Sequence, residues 1–138
     1  MADGNGTKLA GRANYQNGEY VFAMNAAAAS THNLEIGDSG KTYLMSNTVA
    51  RTINLPSPTV GVCYKFIMTD TTADSSIVAT AAIIKGGIHA GNSYLTLAGT
   101  TIVCELAGAI GDCLSFVSDG TNWYVNGQSA HAAGFSVS

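Results

Sequence analysis

The sequence predicts an all-β domain, a sandwich or a barrel, on the basis of three observations. Strand-like runs recur at intervals of about 8–12 residues. Gly, Pro, Asn or Asp separates the runs, and no segment shows convincing helical periodicity. Such spacing is typical of sandwiches and barrels. No duplicated segment is visible, so a solenoid or a propeller is disfavoured.

The best-defined element is a β-hairpin over residues 111–127. Its centre, Asp119-Gly120, lies between two runs that alternate apolar and polar residues. This dipeptide suits the positive φ angles of a two-residue type I′ turn, and such a loop places Phe116 opposite Trp123. A slip of one residue would expose the only tryptophan, so we expect Trp123 to be buried. The residues predicted to share the inward face are Leu114, Phe116, Trp123 and Val125.

Upstream of the hairpin, the apolar runs predict further short strands. The longest run, from Val60 to Thr69, is apolar on both faces, which predicts a central strand. Arg51 falls on the apolar face of its strand and is expected at an edge or paired across an interface. The predicted strands cover residues 19–24, 42–46, 49–55, 60–69, 77–79, 82–85, 94–98 and 101–106.

Between these strands the sequence predicts loops and turns. The alanine-rich residues 25–31 are too few to hold an isolated helix and are assigned to a loop or one turn. The dipeptides Gly86-Gly87 and Gly91-Asn92 are predicted turns.

Length and composition favour one domain with a nearly neutral surface. Of 138 residues, 46% are hydrophobic and only 11% are charged, against about 25% charged in an ordinary soluble domain. The formal net charge is -3 and the basic residues are scattered, so neither nucleic acid nor an anionic membrane is expected as a partner. No apolar run reaches the ~18 residues of a membrane span, and the N-terminus is not signal-like. We therefore expect a soluble protein made in the cytoplasm.

Residues 1–18 are predicted to form an extended N-terminal arm. They are rich in Gly and Asn and show neither helical nor strand periodicity, so ordering them alone would cost much backbone entropy. The arm is either a disordered terminus or a segment that orders on a neighbouring subunit. Residues 19–138 are assigned to the β-sandwich domain.

One short segment resembles a catalytic motif. Residues 37–40, Gly-Asp-Ser-Gly, match part of the nucleophile segment of chymotrypsin-like proteases, but Lys41 replaces the next glycine. Only His32 precedes Ser39, whereas the triad needs a His and an Asp from a preceding barrel. These residues are therefore predicted to form a turn.

Other signals for chemistry are weak. Aspartates lie in apparent turns, and the chain has no phosphate-binding glycine motif. The histidines show no metal-ligand spacing, and the cysteines fit no paired framework and are interpreted as small buried residues. We expect no metal, no cofactor and no enzymatic activity. The residues concerned are His32, His89, His131, Cys63, Cys104 and Cys113.

The hairpin and two upstream segments resemble a known group of proteins. The string Gly-Asp-x-Leu-x-Phe-Val-Ser-Asp-Gly-Thr-Asn-Trp-Tyr-Val-Asn-Gly spans residues 111–127, after Asn-Leu-Pro at 54–56 and Gly-Val-Cys-Tyr-Lys-Phe at 61–66. Together they resemble the β-rich modules on the outside of tailed-bacteriophage virions. These modules include capsid decoration (cement) proteins, head fibres and the distal parts of tail fibres. The resemblance covers residues 47–127 and does not include the arm.

The resemblance implies a jelly-roll-like antiparallel β-sandwich that forms a homotrimer without a cofactor. Its function would be that of a decoration protein, located on the capsid surface of the virion and made in the host bacterial cytoplasm. Binding to the assembled major capsid protein would stabilise the shell by mass action. We expect the arm to contact the capsid through Lys8, Arg12 and Tyr15. The hairpin residues Phe116, Asp119, Gly120 and Trp123 are assigned a structural role.

The alternative is a host-receptor-binding module of a tail or head fibre. A fibre normally also has an anchoring segment and a shaft, and nearly all of this chain is assigned to the sandwich. This favours decoration.

Overall fold

A computed structural model describes residues 20–24, 31–46, 48–80 and 82–138, and for residues 20–24 it describes the backbone alone. The predicted arm and the alanine-rich residues 25–30 lie outside the described residues. Within the described part, the protein is all-β, with twelve strands and one 3-10 helix, Ile36–Asp38.

Every predicted strand has an observed counterpart, with different boundaries, and two three-residue strands, β2 and β12, were not predicted. The strands are β1 Tyr20–Met24, β2 Thr31–Asn33, β3 Lys41–Ser46, β4 Arg51–Leu55, β5 Cys63–Asp70, β6 Ser75–Ala79, β7 Ile84–Ala90, β8 Ser93–Gly99, β9 Thr101–Cys104, β10 Cys113–Ser118, β11 Trp123–Ser129 and β12 Phe135–Val137.

These strands form two mixed sheets. The seven-stranded sheet has the order β1-β3-β5-β10-β11-β7-β8, and the five-stranded sheet has the order β12-β9-β6-β4-β2. Of the ten pairings between described strands, five are parallel and five are antiparallel. The prediction of an antiparallel sandwich is therefore wrong for half of the pairings.

The parallel pairs arise because the chain alternates between the two sheets from β1 to β7. Each of these strands is followed by a strand of the other sheet, so the next strand of its own sheet runs in the same direction. Parallel neighbours require such a crossover, since a tight hairpin joins only antiparallel strands. As a result, β1, β3 and β5 are parallel in one sheet, and β2, β4 and β6 are parallel in the other.

Side chains from the facing sides of both sheets form one hydrophobic core. Phe66 and Phe116 meet edge to face with their ring centroids 5.5 Å apart. Trp123 is fully buried, as predicted, and its ring centroid lies 5.6 Å from that of Tyr64. From the five-stranded sheet the core receives Ile53, Leu55, Ile77, Ala79, Ile102, Cys104 and Phe135. β5 lies third in its sheet, which confirms the predicted central strand.

The hairpin is present, but its loop is longer than predicted. Ser118 pairs with Trp123, and Phe116 pairs with Val125 and not with Trp123, so residues 119–122 form a four-residue loop. Because this shift in register is two residues, the same side chains face the core. Phe116 and Trp123 remain diagonal neighbours, with ring centroids 6.4 Å apart.

The longer loop is stabilised by the side chain of its first residue. The Asp119 carboxylate accepts hydrogen bonds from the backbone N–H groups of Thr121 at 2.8 Å and Asn122 at 2.7 Å. Such a local bond from an aspartate competes with a type I′ turn. Gly120, with φ +93°, still supplies the positive φ angle for which it was selected.

The predicted turn at Gly86-Gly87 is wrong, because both glycines lie inside β7. Gly86 has φ +110°, and a Cβ there would lie 2.2 Å from the Val125 carbonyl oxygen, so glycine allows β7 and β11 to approach. The Tyr94 ring covers Gly87 from β8. The glycines therefore permit close packing within the sheet. Residues 91–92 form the turn between β7 and β8, as predicted.

Arg51 is neither at a sheet edge nor exposed. It begins β4, which lies inside the five-stranded sheet, and its side chain is buried. Its Nε donates to the Ser46 carbonyl at 3.1 Å, and one terminal nitrogen lies 3.2 Å from His32 Nε2. The other terminal nitrogen has no hydrogen-bond partner among the residues that the structure describes. Burial of this guanidinium leaves a polar group unsatisfied in a mostly apolar domain.

The three cysteines are free, but only Cys104 is buried as predicted. Burial, together with the nearby Glu105, Asp112 and Asp74 carboxylates, raises the pKa of the Cys104 thiol. Cys63 and Cys113 are half-buried.

Candidate functional site at the hairpin end

One end of the sandwich, called the hairpin end below, consists of residues 34–40, 56–62, 82–83 and 119–122. They meet because β3, β5, β7 and β11 begin at this end, whereas β2, β4, β6 and β10 end there. Among the described residues, the opposite end consists of residues 48–50, 71–74, 91–92, 105–112 and 130–134.

Three large apolar side chains are exposed at the hairpin end. Val60 is 77% exposed, Ile36 is 51% exposed and Ile83 is 45% exposed. Val117 and Tyr124 continue the exposed apolar surface onto the adjoining outer face of the seven-stranded sheet, where they are cross-strand partners. Exposed apolar side chains that are grouped in this way are typical of an interaction site.

The loop that carries Val60 is held in place by main-chain hydrogen bonds. The Gly61 N–H donates to the Ser118 carbonyl at 2.9 Å, and the Ser118 N–H donates to the Val62 carbonyl at 2.9 Å. A Cβ on Gly120 would lie 2.9 Å from a Val60 methyl group, so the valine packs against the hairpin loop. Val60 is therefore presented to solvent by a fixed backbone.

The hairpin loop keeps a negative charge beside this apolar group. Hydrogen bonds from the backbone of Asn122 and Thr121 hold the pKa of Asp119 below its ordinary value, and Tyr124 and Lys85 add to the effect. The bond with Asp119 correspondingly raises the pKa of the Tyr124 hydroxyl. Tyr124 points outward, as predicted, and this bond restrains its ring.

The segment that resembles a protease motif forms a turn, as predicted. The Asp38 carboxylate accepts the Glu35 N–H at 2.9 Å and pairs with Lys41 Nζ at 2.6 Å. Ser39 Oγ accepts the Cys63 N–H at 3.0 Å and so joins the turn to β5. Burial alone would raise the pKa of Asp38, but the bonds from Lys41 and Glu35 outweigh it and lower the pKa.

Tyr64 connects this turn to the core and gives the domain an alkaline pH dependence. Its hydroxyl donates to the Glu35 carbonyl at 2.6 Å. Burial, and secondarily the charges of Asp38 and Cys63, raises the pKa of Tyr64 from 10.0 to about 12. The unfolded chain therefore loses this proton first, so stability that is present below pH 10 is lost as the pH rises to about 12.

Tyr64→Phe is expected to flatten that alkaline decline. At neutral pH the loss of one hydrogen bond should lower the free energy of unfolding by about 1 kcal/mol. Urea unfolding of both proteins at pH values from 8 to about 12 tests this, because the other tyrosines contribute equally to each curve. An unchanged difference in stability between the two proteins over this range would contradict the prediction.

Charge differs between the two ends. The three described lysines, Lys41, Lys65 and Lys85, lie in the first half of strands that begin at the hairpin end, where they balance its three carboxylates. Arg51, at the opposite end, is buried. The carboxylates near the hairpin end are Glu35, Asp38 and Asp119; those near the opposite end are Asp70, Asp74, Glu105 and Asp112.

At the opposite end, Asp112 joins two loops. This buried carboxylate accepts hydrogen bonds from Ser129 Oγ at 2.6 Å and from the backbone N–H groups of Ala109 and Ala130, each at 2.9 Å. A Cβ on Gly134 would lie 1.9 Å from Ser129 Oγ, so the second loop packs tightly on the cluster. The arrangement fixes residues 105–112 against residues 130–134.

The same cluster borders a depression of about 440 Å³ that His89 also lines. A catalytic triad places histidine between the serine and the aspartate. Here Ser129 donates directly to Asp112 without a histidine between them, so the pair connects two loops and does not form a triad.

Among the described residues, no group of three or more His, Cys, Asp or Glu is placed to hold a metal ion. No helix in the part of the chain that the structure describes is long and apolar enough to cross a membrane.

The residues predicted to be functional have different outcomes. Lys8, Arg12 and Tyr15 lie outside the described residues, so their assignment as capsid contacts stays a prediction. The exposed residues Val60 and Ile83 were not singled out from the sequence. Both fall inside predicted strands, 60–69 and 82–85, whereas the structure places them in the loops before β5 and β7, so the sequence carried no signal of their exposure.

The fold and this surface define an all-β protein of two mixed sheets with an apolar, hydrogen-bonded end. No family model, curated protein or solved structure matches the chain.

Proposed function

We propose that the protein is a capsid decoration protein of a tailed bacteriophage, which binds the major capsid protein on the outer shell as a homotrimer. The resemblance of residues 47–127 to virion surface modules supports this class of protein. The observation that carries the proposal is the hairpin end, where fixed loops expose Ile36, Val60 and Ile83.

The properties of the two ends suggest which one faces the shell. Both ends expose large apolar side chains, with Val49, Leu106 and Ile110 at the opposite end, but only the hairpin end combines them with balanced charge. The centre of a protein interface is typically apolar and poor in unpaired charge. The opposite end carries an excess of carboxylates, which remain better solvated in water. Tyr20, the first residue of β1, pairs with Lys41, the first residue of β3. Because β3 begins at the hairpin end, residues 1–19 join the domain there. Lys8, Arg12 and Tyr15 can then reach the same partner.

Stabilisation would follow from mass action. A protein that binds only the assembled lattice, and spans neighbouring capsid subunits, shifts the assembly equilibrium toward the intact shell. In a trimer, three hairpin ends would bind the shell together, so a modest affinity at each end would give a much higher overall affinity. The proposal includes a jelly-roll-like fold only in the sense of two stacked sheets. The parallel strand pairs differ from the antiparallel pairs of a jelly roll.

The second candidate is a receptor-binding module of a phage fibre. A shallow depression of about 300 Å³ on the outer face of the seven-stranded sheet favours it. Tyr124, Val117 and Asn126 line this depression, and an exposed aromatic ring beside an amide is suited to ligand contact. Electron microscopy of labelled virions separates the two functions, because a decoration protein covers the head and a fibre module lies at a fibre tip.

Val60→Asp is expected to reduce binding to shells prepared without the native protein by at least about tenfold. The substitution places a charge at the centre of the proposed interface. Val60 is 77% exposed, so the thermal unfolding temperature should change little. The matched control is Ile110→Asp, since Ile110 is 75% exposed and lies at the opposite end. Equal occupancy for both variants would contradict the proposed orientation.

A further inference from the structure

The last strand of the seven-stranded sheet has an open edge. β8 pairs with β7 on one side, and no described strand pairs with its other side. Its sequence, Ser-Tyr-Leu-Thr-Leu-Ala-Gly, contains no charged residue and no proline. Natural proteins protect exposed edges with charges, proline, bulges or a covering segment, because an open edge pairs with other chains. Val137 and Ser138 lie against Gly99 at the end of β8, so the open part of the edge is residues 93–98. For this part, a covering segment is the device that remains.

The turn before β8 determines which of its backbone groups are free. Ala90 pairs with Ser93 across a two-residue loop, so Ser93, Leu95 and Leu97 direct their N–H groups toward β7. Alternate residues direct theirs to the open edge. The free positions are Tyr94, Thr96 and Ala98.

We propose that this edge accepts a strand from the N-terminal segment, residues 1–19, of a second copy of the chain. This inference rests on the self-association that the proposed function includes, and it names the surfaces involved. Residues 7–16 are the donor in this proposal, because in an extended conformation their two charged residues, Lys8 and Arg12, fall on one side and Leu9 and Tyr15 fall on the other. One parity carries Thr7, Leu9, Gly11, Ala13 and Tyr15; the other carries Lys8, Ala10, Arg12, Asn14 and Gln16.

Distance excludes the chain's own β8 as the acceptor. β1 and β8 are opposite edges of a seven-stranded sheet, so six strand spacings of about 4.8 Å, roughly 29 Å, separate them. Only residues 17–19 join the donor to Tyr20, and they reach about 10 Å when fully extended. The acceptor must therefore be the β8 edge of another copy that lies beside β1.

Pairing would provide hydrogen-bond partners for the backbone groups of both the donor and the acceptor strand. The free N–H and C=O groups of β8 would gain partners, and the donor could place Leu9 beside Leu95, which packs on the core but is only partly buried. Lys8 and Arg12 would point to the outer, solvated face. Because donor and acceptor are different surfaces, the contact is heterologous, the kind of contact from which a ring such as a trimer is built.

Amide hydrogen exchange on the full-length protein tests the proposal. We expect the N–H groups of Tyr94, Thr96 and Ala98 to be protected at concentrations where light scattering gives an oligomer. On dilution to monomer, their exchange should accelerate by at least about tenfold while the buried strand β10 stays protected. If the N–H groups of Tyr94, Thr96 and Ala98 exchange rapidly in the oligomer, the proposal is overturned. Protection that is independent of concentration would overturn it too, since the strand would then come from the same chain.

A pair of variants provides an independent test. Thr96→Pro removes an N–H that β7 does not use, and proline is tolerated at an edge of this kind. It should convert the oligomer to a monomer of 14.1 kDa, whereas Thr96→Val, which keeps the N–H, should remain oligomeric. A folded Thr96→Pro protein that stays oligomeric would overturn the proposal, and if the variant fails to fold, the exchange measurement decides. A native protein that is monomeric at all concentrations and still binds shells would refute strand exchange and leave binding to the shell standing.

Discussion

Replacing Trp123 with alanine is expected to lower the free energy of unfolding by about 3–5 kcal/mol. Trp123 is fully buried, and its ring packs against Tyr64 and Phe116. The cavity would lie where β11 and β10 face the other sheet, among side chains that cannot collapse without moving a strand. Because a domain of this size is stable by only about 5–15 kcal/mol, the variant would be close to unfolded at 37 °C.

Trp123→Phe is the matched control. Among the described residues the indole Nε1 has no hydrogen-bond partner, so its removal breaks no described bond, and the smaller ring still fills most of the site. We expect this variant to lose clearly less stability than Trp123→Ala. Urea unfolding followed by circular dichroism measures both, since the only tryptophan is lost in each. A loss below about 1 kcal/mol for the alanine variant would contradict the packing described here.

Asp112→Ala is expected to lower the free energy of unfolding by about 3 kcal/mol or more. The substitution removes the acceptor for the Ala109 and Ala130 N–H groups and for the Ser129 hydroxyl. The Ala109 and Ala130 N–H groups are part-buried, and the loss of an acceptor costs about 1–3 kcal/mol for each, whereas the Ser129 hydroxyl keeps its bond to the His131 carbonyl. The two loops at the opposite end should also separate, so the Ala109 and Ala130 amides should exchange faster than those of the strands.

Asp112→Asn separates the loss of charge from the loss of hydrogen bonds. Its carbonyl oxygen can still accept from Ala130, but its NH2 group cannot accept from Ala109 or Ser129. An intermediate stability is therefore expected. Equal stability of the alanine variant and the native protein in urea would show that water replaces the carboxylate.

The faces of the strands were predictable from the sequence, but the exact pairing was not. Alternation places Leu114, Phe116 and Trp123 inward whether the hairpin loop has two residues or four, because a shift of two residues preserves the face. The loop length depends on the Asp119 carboxylate, which can serve either turn. Sequence therefore indicated the core side chains more securely than their partners.

Local sequence patterns could not predict which strands pair in parallel. A short apolar run looks the same whether its neighbour is parallel or antiparallel, and connections such as residues 71–74 do not reveal which sheet follows. Gly86-Gly87 was misassigned for a related reason. A glycine in a strand is required by the neighbouring strand: Gly86 by Val125, which is distant in sequence, and Gly87 by the Tyr94 ring across the next turn.

The candidate site was only partly predictable. The hairpin was recognisable from its own residues, whereas the exposure of Val60, Ile36 and Ile83 follows from how separate loops meet at one end. An isolated apolar residue in a loop is common and has no meaning by itself. Their grouping becomes visible only when the strand directions are known.

The alternation of the chain between the two sheets also affects how the protein forms. Thr42 must find Lys65 across a segment that includes a strand of the other layer, and Thr52 must find Ser76 in the same way. Neither sheet can be completed first, so both layers assemble in one concerted event with a large loop-closure cost. Folding on the millisecond-to-second scale is typical of such topologies. The same interlocking means that neither layer can unfold independently of the other, so partial opening of one sheet exposes the core face of both.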